Sequence, residues 1–226
     1  MSEQAVRHFH PHRLNALADG VFAIAMTLRA LEIRVPAAMP DRQAFQHELP
    51  SLLGDFGVFA LAFSTIGQYW LGHHRVMAVV HTVDPRAVGR ALVSLIGVAA
   101  IPAGMRLIFE DGQFPEAVTV VALLMAVTSL LTDRFYRAVL TPQLSDADPL
   151  LRLRYLLAPL YNTAVYLFTI PLAFAIAAAG AAAAWAALAW MLLAGTAPVS
   201  AALARRIATR PKAIRPGADA DVPAGT

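Results

Sequence analysis

The chain has no cysteine, and only 15% of its 226 residues are charged. The first absence excludes a disulfide-stapled secreted fold. The second leaves too little charge to cover a water-soluble globule of this size, for which roughly 25% is usual. What is present is apolar: 58% of the residues are hydrophobic, and the mean hydropathy is +0.58. These residues gather into blocks long enough to cross a bilayer, which takes about 20 residues of helix. The composition is that of an integral membrane protein. No soluble domain fits between the blocks, because the loops are shorter than about 25 residues and a domain needs at least about 50.

Six apolar stretches are expected to span: Leu14–Val35, Leu52–Leu71, Ala91–Phe109, Ala117–Leu131, Leu156–Ala179 and Ala181–Leu203. The fourth lengthens toward Leu140 if Asp133, Arg134 and Arg137 sit at the interface. Only small residues around Gly180 separate the last two, so a tight turn is expected there. With six spans, both termini and the second and fourth loops share one side. That side holds fourteen of the basic residues (Arg7, Arg13, Arg75, Arg86, Arg90, Arg134, Arg137, Arg152, Arg154, Arg205, Arg206, Arg210, Lys212 and Arg215), against Arg34, Arg42 and Arg106 on the other. The positive-inside rule then places both termini in the cytoplasm. The net charge of +3 and the pI near 9.7 are therefore a topology signal, and no nucleic-acid partner is expected. One membrane domain, 13–206, is expected between a cytoplasmic segment, 1–12, and a disordered Pro-, Gly- and Ala-rich tail, 207–226. The N-terminal apolar stretch carries Asp19, Arg29 and Glu32, unlike the plain core of a cleavable signal peptide.

Most spans read as structural helices. The sixth is Ala-rich, which suits close packing through small side chains, with Trp185 and Trp190 as packing or interface residues. The first span differs. Asp19, Arg29 and Glu32 lie in or near hydrocarbon, where a mid-helix charge costs about 2.5 to 3.5 kcal/mol on insertion scales. At about 100° per residue, Ile24, Leu28 and Leu31 form one stripe, continued by Leu17 and Gly20, with Thr27 on its flank. By spacing alone this stripe is a lipid-facing or helix-packing face. Asp19 lies about 140° from Ile24 and is expected to turn into the same subunit, toward Arg13 and the second-span histidines. Arg29 and Glu32 are three residues apart and are expected to pair.

The second span closes on QYWLGHHRVMAVVH, containing His73, His74, Arg75 and His81. Adjacent His73 and His74 diverge by about 100°, and no HExxH pattern accompanies them, so neither a metal nor a catalytic site is expected. No cofactor is called for. His8, His10 and His12 read as an interfacial anchor before membrane entry.

The first-span residues Arg13, Leu17-Ala18-Asp19, Gly20-Val21-Phe22-Ala23-Ile24-Ala25, Thr27-Leu28 and Leu31-Glu32-Ile33 resemble the signature of the prokaryotic transmembrane protein 175 family of potassium channels. The second-span residues Trp70, His73-His74-Arg75 and Asp84 are similar to that family's Trp-x-x-His-His-Arg stretch. The resemblance extends over residues 12 to 205. It implies an all-α membrane protein with six helices per chain, assembled as a homotetramer in the plasma membrane around a pore lined by the first helix. K⁺ and other monovalent cations would pass, with K⁺ as the permeant ion rather than a bound cofactor. Ile24 would be the main constriction, with Leu28 and Leu31 as further apolar rings and Thr27 as the hydroxyl associated with selectivity. Arg13, Asp19, Trp70, His73 and His74 would anchor the first helix, and Arg29 and Glu32 would stand at the outer mouth. Like the family, the chain lacks a TVGYG filter.

Two departures from the family pattern bear on that expectation. Leu17 and Ala18 replace Phe and Ser, which removes one hydroxyl from the anchoring network. Arg29 stands where an aliphatic residue is usual. Facing the pore, four copies would form a cationic ring opposing K⁺ entry; its offset of about 100° from Leu28 favours a place between helices. Glu32 would concentrate cations unless Arg29 neutralises it. The rival functions are a secondary transporter, which calls for internal repeats or paired broken helices that are not evident here, and a membrane metalloenzyme built on His73, His74 and His81.

Overall fold

The computed structural model describes residues 10–35, 39–143, 149–195 and 202. All regular structure among them is helical: α1 (Pro11–Leu28), a 3₁₀ turn (Arg29–Glu32), α2 (Arg42–Met77), α3 (Pro85–Asp111), α4 (Pro115–Gln143), α5 (Pro149–Ala178) and a C-terminal 3₁₀ helix (Ala183–Gly195). Four of the five α-helices begin at a proline. That position needs no backbone N–H, and the fixed φ of proline suits a first turn. The other helix, α2, starts at Asp41, whose carboxylate accepts the Ala44 N–H at 2.8 Å, and Asp84 caps α3 on the Ala87 N–H in the same way.

All five α-helices, the first taken through Glu32, are long and apolar enough to cross a membrane. The protein is a multi-pass α-helical membrane protein. Three expected boundaries change. The first span runs as α-helix only to Leu28 and tightens to 3₁₀ before Val35. The second begins ten residues before the apolar run, because the Asp41 cap extends it over a polar stretch that hydropathy alone leaves out. The sixth, expected as a span over 181–203, is 3₁₀ as far as Gly195, and of its remainder only Ala202 lies within the described residues. Side chains three apart eclipse in a 3₁₀ helix. Small residues tolerate this, and buried Ala183 and Ala186 form such a line, as do Ala187 and Trp190. The expected tail at 207–226 and the segment 1–9 lie outside the described residues.

The turn at Gly180 takes the tight form that the sequence suggested. Gly180 has φ +79°, a region that only glycine enters cheaply. Its N–H reaches the Ala177 carbonyl at 2.9 Å, and the Ala181 N–H reaches Ile176 at 3.1 Å, a Schellman closure of α5.

The helices pack in chain order, with α4 lying between α3 and α5 and also touching the C-terminal 3₁₀ helix. The larger core joins Phe22 of α1, Ile66 and Tyr69 of α2, Ile101 of α3, Met125 of α4 and Tyr166 of α5. A second cluster joins Leu14, Val76 and Ala87 to Phe135 and Tyr136 at the end where α1 begins. Buried hydroxyls are satisfied inside their own helices, as lipid requires. Thr65, Thr128, Thr132, Thr163 and Thr169 each donate to the carbonyl four residues back at 2.8 to 3.0 Å. Tyr69 and Ser129 bridge helices instead: Tyr69 donates to the Met125 carbonyl at 3.1 Å, and Ser129 to the Pro159 carbonyl at 2.9 Å.

Candidate functional site

The first helix has two faces. Leu14, Ala18, Phe22, Ala25 and Arg29 recur at intervals of three and four and are buried against α2 and α3. On the opposite face, Leu17, Ile24, Leu28 and Leu31 are exposed, with Ile24 at 66% and Leu31 at 84% of full exposure. The stripe drawn from spacing is thus the face that the chain itself does not cover. Gly20 continues it, with no atom within 4 Å of the place where a Cβ would stand. Thr27 sits on its flank, exposed. The Thr27 hydroxyl donates to the Ala23 carbonyl at 2.9 Å, with the Ile24 carbonyl at 3.3 Å. Its proton is committed to the helix, so what it presents outward is oxygen lone pairs.

Toward the start of the helix, Asp19 is exposed but tied to α2: its carboxylate accepts the Trp70 indole N–H at 2.9 Å. Trp70 stacks in turn on His74, ring centroids 5.5 Å apart. His73 points into the bundle between Phe22 and Phe135, 5.7 Å from each ring. It is buried, and its Nε2 has no hydrogen-bond partner among the described residues. The two adjacent histidines therefore diverge, one to the Asp19–Trp70 contact and one into apolar packing. Arg13 is not brought to this cluster: its side chain is exposed and makes no ion pair among the described residues.

At the far end of the helix the geometry separates Arg29 from the stripe. Arg29 is only 6% exposed and forms an ion pair with Glu32. Its guanidinium lies 5.5 Å from the centroid of the Phe109 ring on α3, a cation–π arrangement. Arg29 thus lies between helices and off the exposed stripe, with its charge paired to Glu32. One residue at this corner had gone unremarked in the sequence. Asp55 of α2 is buried, and its carboxylate accepts the Arg34 backbone N–H at 3.1 Å, just beyond the 3₁₀ turn. Its signal was available: a lone carboxylate inside the second apolar run, where an unpaired charge is expensive.

These features define a class: a helical membrane protein whose first helix is anchored on one side and carries an uncovered apolar stripe on the other. The family model described as endosomal/lysosomal potassium channel TMEM175 matches residues 13–102, which hold both faces of this helix and the Trp70–His74 stretch. Over that region, 90 of the 226 residues, the chain is similar to the TMEM175 family. A potassium channel of Streptomyces collinus is 34% identical over 122 residues, 52% of this chain and 59% of the relative. A potassium channel of Chamaesiphon minutus is 38% identical over 73 residues, 32% of this chain and 36% of the relative. The alignments thus span less than two thirds of these relatives' own lengths. The crystal structure of a lysosomal potassium-selective channel TMEM175 homolog from Chamaesiphon minutus shares the fold, with a TM-score of 0.59 and 24% identity, covering 88% of this chain and 96% of that one.

Proposed function

We propose that the chain is one subunit of a potassium-permeable cation channel, a passive conductor and not an enzyme. Four copies surround a pore lined by α1, in the plasma membrane, with both termini cytoplasmic. The observation that carries this reading is the uncovered stripe Leu17–Ile24–Leu28–Leu31 on a helix whose other face is locked into the bundle. Potassium channels among the relatives support the choice of ion.

In this reading Ile24 forms the narrowest ring, with Leu28 and Leu31 as further rings. Apolar rings block flow by dewetting when narrow and admit ions when the helices move apart. Thr27, its proton held by the Ala23 carbonyl, offers acceptor oxygen to a passing cation and no donor to an anion. Asp19, Trp70 and His74 fix the start of the pore helix, and His73 packs it against α4 through Phe135. The membrane domain of 13–206 is the conducting unit.

The test is K⁺ flux into proteoliposomes and bi-ionic K⁺/Na⁺ recording in planar bilayers. Ile24→Asn is expected to raise K⁺ leak severalfold by wetting the constriction. Unchanged flux from inserted, tetrameric protein would remove Ile24 from the gate. Saturable uptake coupled to a counter-ion would replace the channel with a transporter.

A further inference from the structure

The two ends of the exposed stripe differ in charge. α1 is unbroken α-helix from Pro11 to Leu28, so its phase carries from one end to the other. Arg13 precedes Ile24 by three helical turns. At about 100° and 1.5 Å per residue, it stands roughly 20° from Ile24 around the axis and about 16 Å from it along the axis. Arg13 is exposed, as are Leu17, Gly20 and Ile24 after it. It makes no ion pair among the described residues. Asp19, the acid of the same helix, lies about 140° from Ile24 and is engaged by the Trp70 indole.

Where α1 finishes, three arginines each have a carboxylate at hand. Arg29 pairs with Glu32. The Arg34 N–H is held by Asp55 at 3.1 Å, and Arg106 Nε meets Glu110 at 2.9 Å. Where α1 begins, the balance is different. Leu14 packs there with Val76, Ala87 and Phe135, which places the nearby Arg75, Arg86, Arg90 and Arg134 at the same end. All four are exposed and make no ion pair among the described residues. Arg137 does pair, with Asp133 at 2.6 Å, and Asp84 caps α3. Among these uncompensated cations, Arg13 is the one carried by the first helix, and it stands on the stripe.

We propose that Arg13 sets the direction of easy current flow. In the fourfold assembly it forms a cationic ring at the mouth where α1 begins, and the ring's field lowers the K⁺ concentration there. K⁺ arriving at the other mouth meets arginines already balanced by carboxylates. The current therefore rectifies, and it is weaker when K⁺ enters past Arg13. The field acts over about a Debye length, so Arg13 works without touching the ion. The proposal rests on reading α1 as pore-lining, and it gives Arg13 a place on the ion path instead of in the Asp19–Trp70–His74 cluster.

The test is the rectification ratio of the full chain in planar bilayers with equal KCl on both sides: current entering past Arg13 divided by the reverse current at the opposite voltage. At about 0.1 M KCl the ratio should lie below one. Arg13→Gln should raise it about twofold or more, the scale set by a mouth potential of order kT, and Arg13→Lys should leave it low. Because the chain has no cysteine, Arg13→Cys can be recharged in place. A cationic methanethiosulfonate should lower the ratio and an anionic one raise it, and the chamber from which the impermeant reagent acts identifies the mouth. Raising KCl to about 1 M shortens the Debye length from about 10 Å to 3 Å and should bring the unaltered protein toward a ratio of one. This salt series decides the matter should the position 13 variants fail to fold, since a ratio constant across it overturns the proposal. So does a ratio that neither Arg13→Gln nor the two reagents move, or one that Arg86→Gln, on α3, moves as far. K⁺ current with such an insensitive ratio removes Arg13 alone. No K⁺ current from either the unaltered or the Ile24→Asn protein removes the channel reading, and the proposal with it.

Discussion

The first and fourth helices of this chain are similar in hydropathy and differ in how much of each is covered: half of the α4 span is buried against 28% of the first, and α4 too leaves an apolar stripe open at Val120, Leu123, Val127 and Leu130. Every third or fourth residue of α4 is sealed in protein, including Val118, Val121, Ala122 and Met125, and it lies between α3 and α5. α1 has one sealed face and one apolar face that its own chain leaves open. In lipid both faces are equally at ease, because hydrocarbon is as apolar as leucine. Hydropathy therefore cannot tell how much of a helix its own chain covers. Packing can: α4 is wedged between α3 and α5, while α1 meets its neighbours along one face only.

Five substitutions sharpen this contrast. The largest expected effect is at Met125, fully buried at the centre of the core. Met125→Ala should cost about 2 kcal/mol or more through lost contacts and the cavity left behind. Thermal unfolding in detergent measures it. Next is the close approach of α3 to α4. A Cβ on Gly97 would lie on the Thr128 side chain, with Thr128 Cγ2 at 2.9 Å. Gly97→Ala should destabilise by about 1 to 3 kcal/mol of overpacking, while Gly89→Ala, with nothing within 4 Å, should be neutral or slightly stabilising.

A smaller effect is expected where the C-terminal 3₁₀ helix meets α5. The Trp190 indole N–H donates to the Thr169 hydroxyl at 3.0 Å, and its ring meets Tyr166 edge-on at 5.7 Å. Trp190→Phe keeps the ring and loses the bond, about 1 kcal/mol. The smallest is on α1: Ile24→Ala should change the unfolding of dissociated monomer by no more than about 0.5 kcal/mol, as for other uncovered sites. A cost there approaching that of Met125→Ala would erase the contrast and mean that the stripe is sealed within the subunit.

Much of this was legible in the sequence. Blocks of apolar residues gave the membrane helices, because a span must be long and uncharged whatever it packs against. The stripe of Ile24, Leu28 and Leu31 was legible because helical periodicity does not depend on neighbours. The Arg29–Glu32 pair followed from a spacing of three. What was not legible depends on contacts between distant segments. Asp55 meets Arg34 across 21 residues, and nothing local marks the pairing. The 3₁₀ turn at Arg29 leaves no mark on hydropathy, since both helix types hold the same residues. Arg13 was named as a partner for Asp19 from helical position and again from resemblance; its side chain is exposed and makes no ion pair among the described residues. The C-terminal 3₁₀ helix escaped notice because alanine favours the α-helix, and only tertiary packing overrides that preference.

The length of α2 has a mechanical consequence. Its 36 residues make a rod of about 54 Å at 1.5 Å per residue, against roughly 30 Å of hydrocarbon. Even a tilt of about 40° cannot hide such a rod. The end bearing Asp41, Arg42, His47 and Glu48 stands clear of the lipid, on the side where α1 finishes. Asp55 is the fourteenth residue of that rod, close to where it enters the apolar run, and it grips the chain just past the 3₁₀ turn.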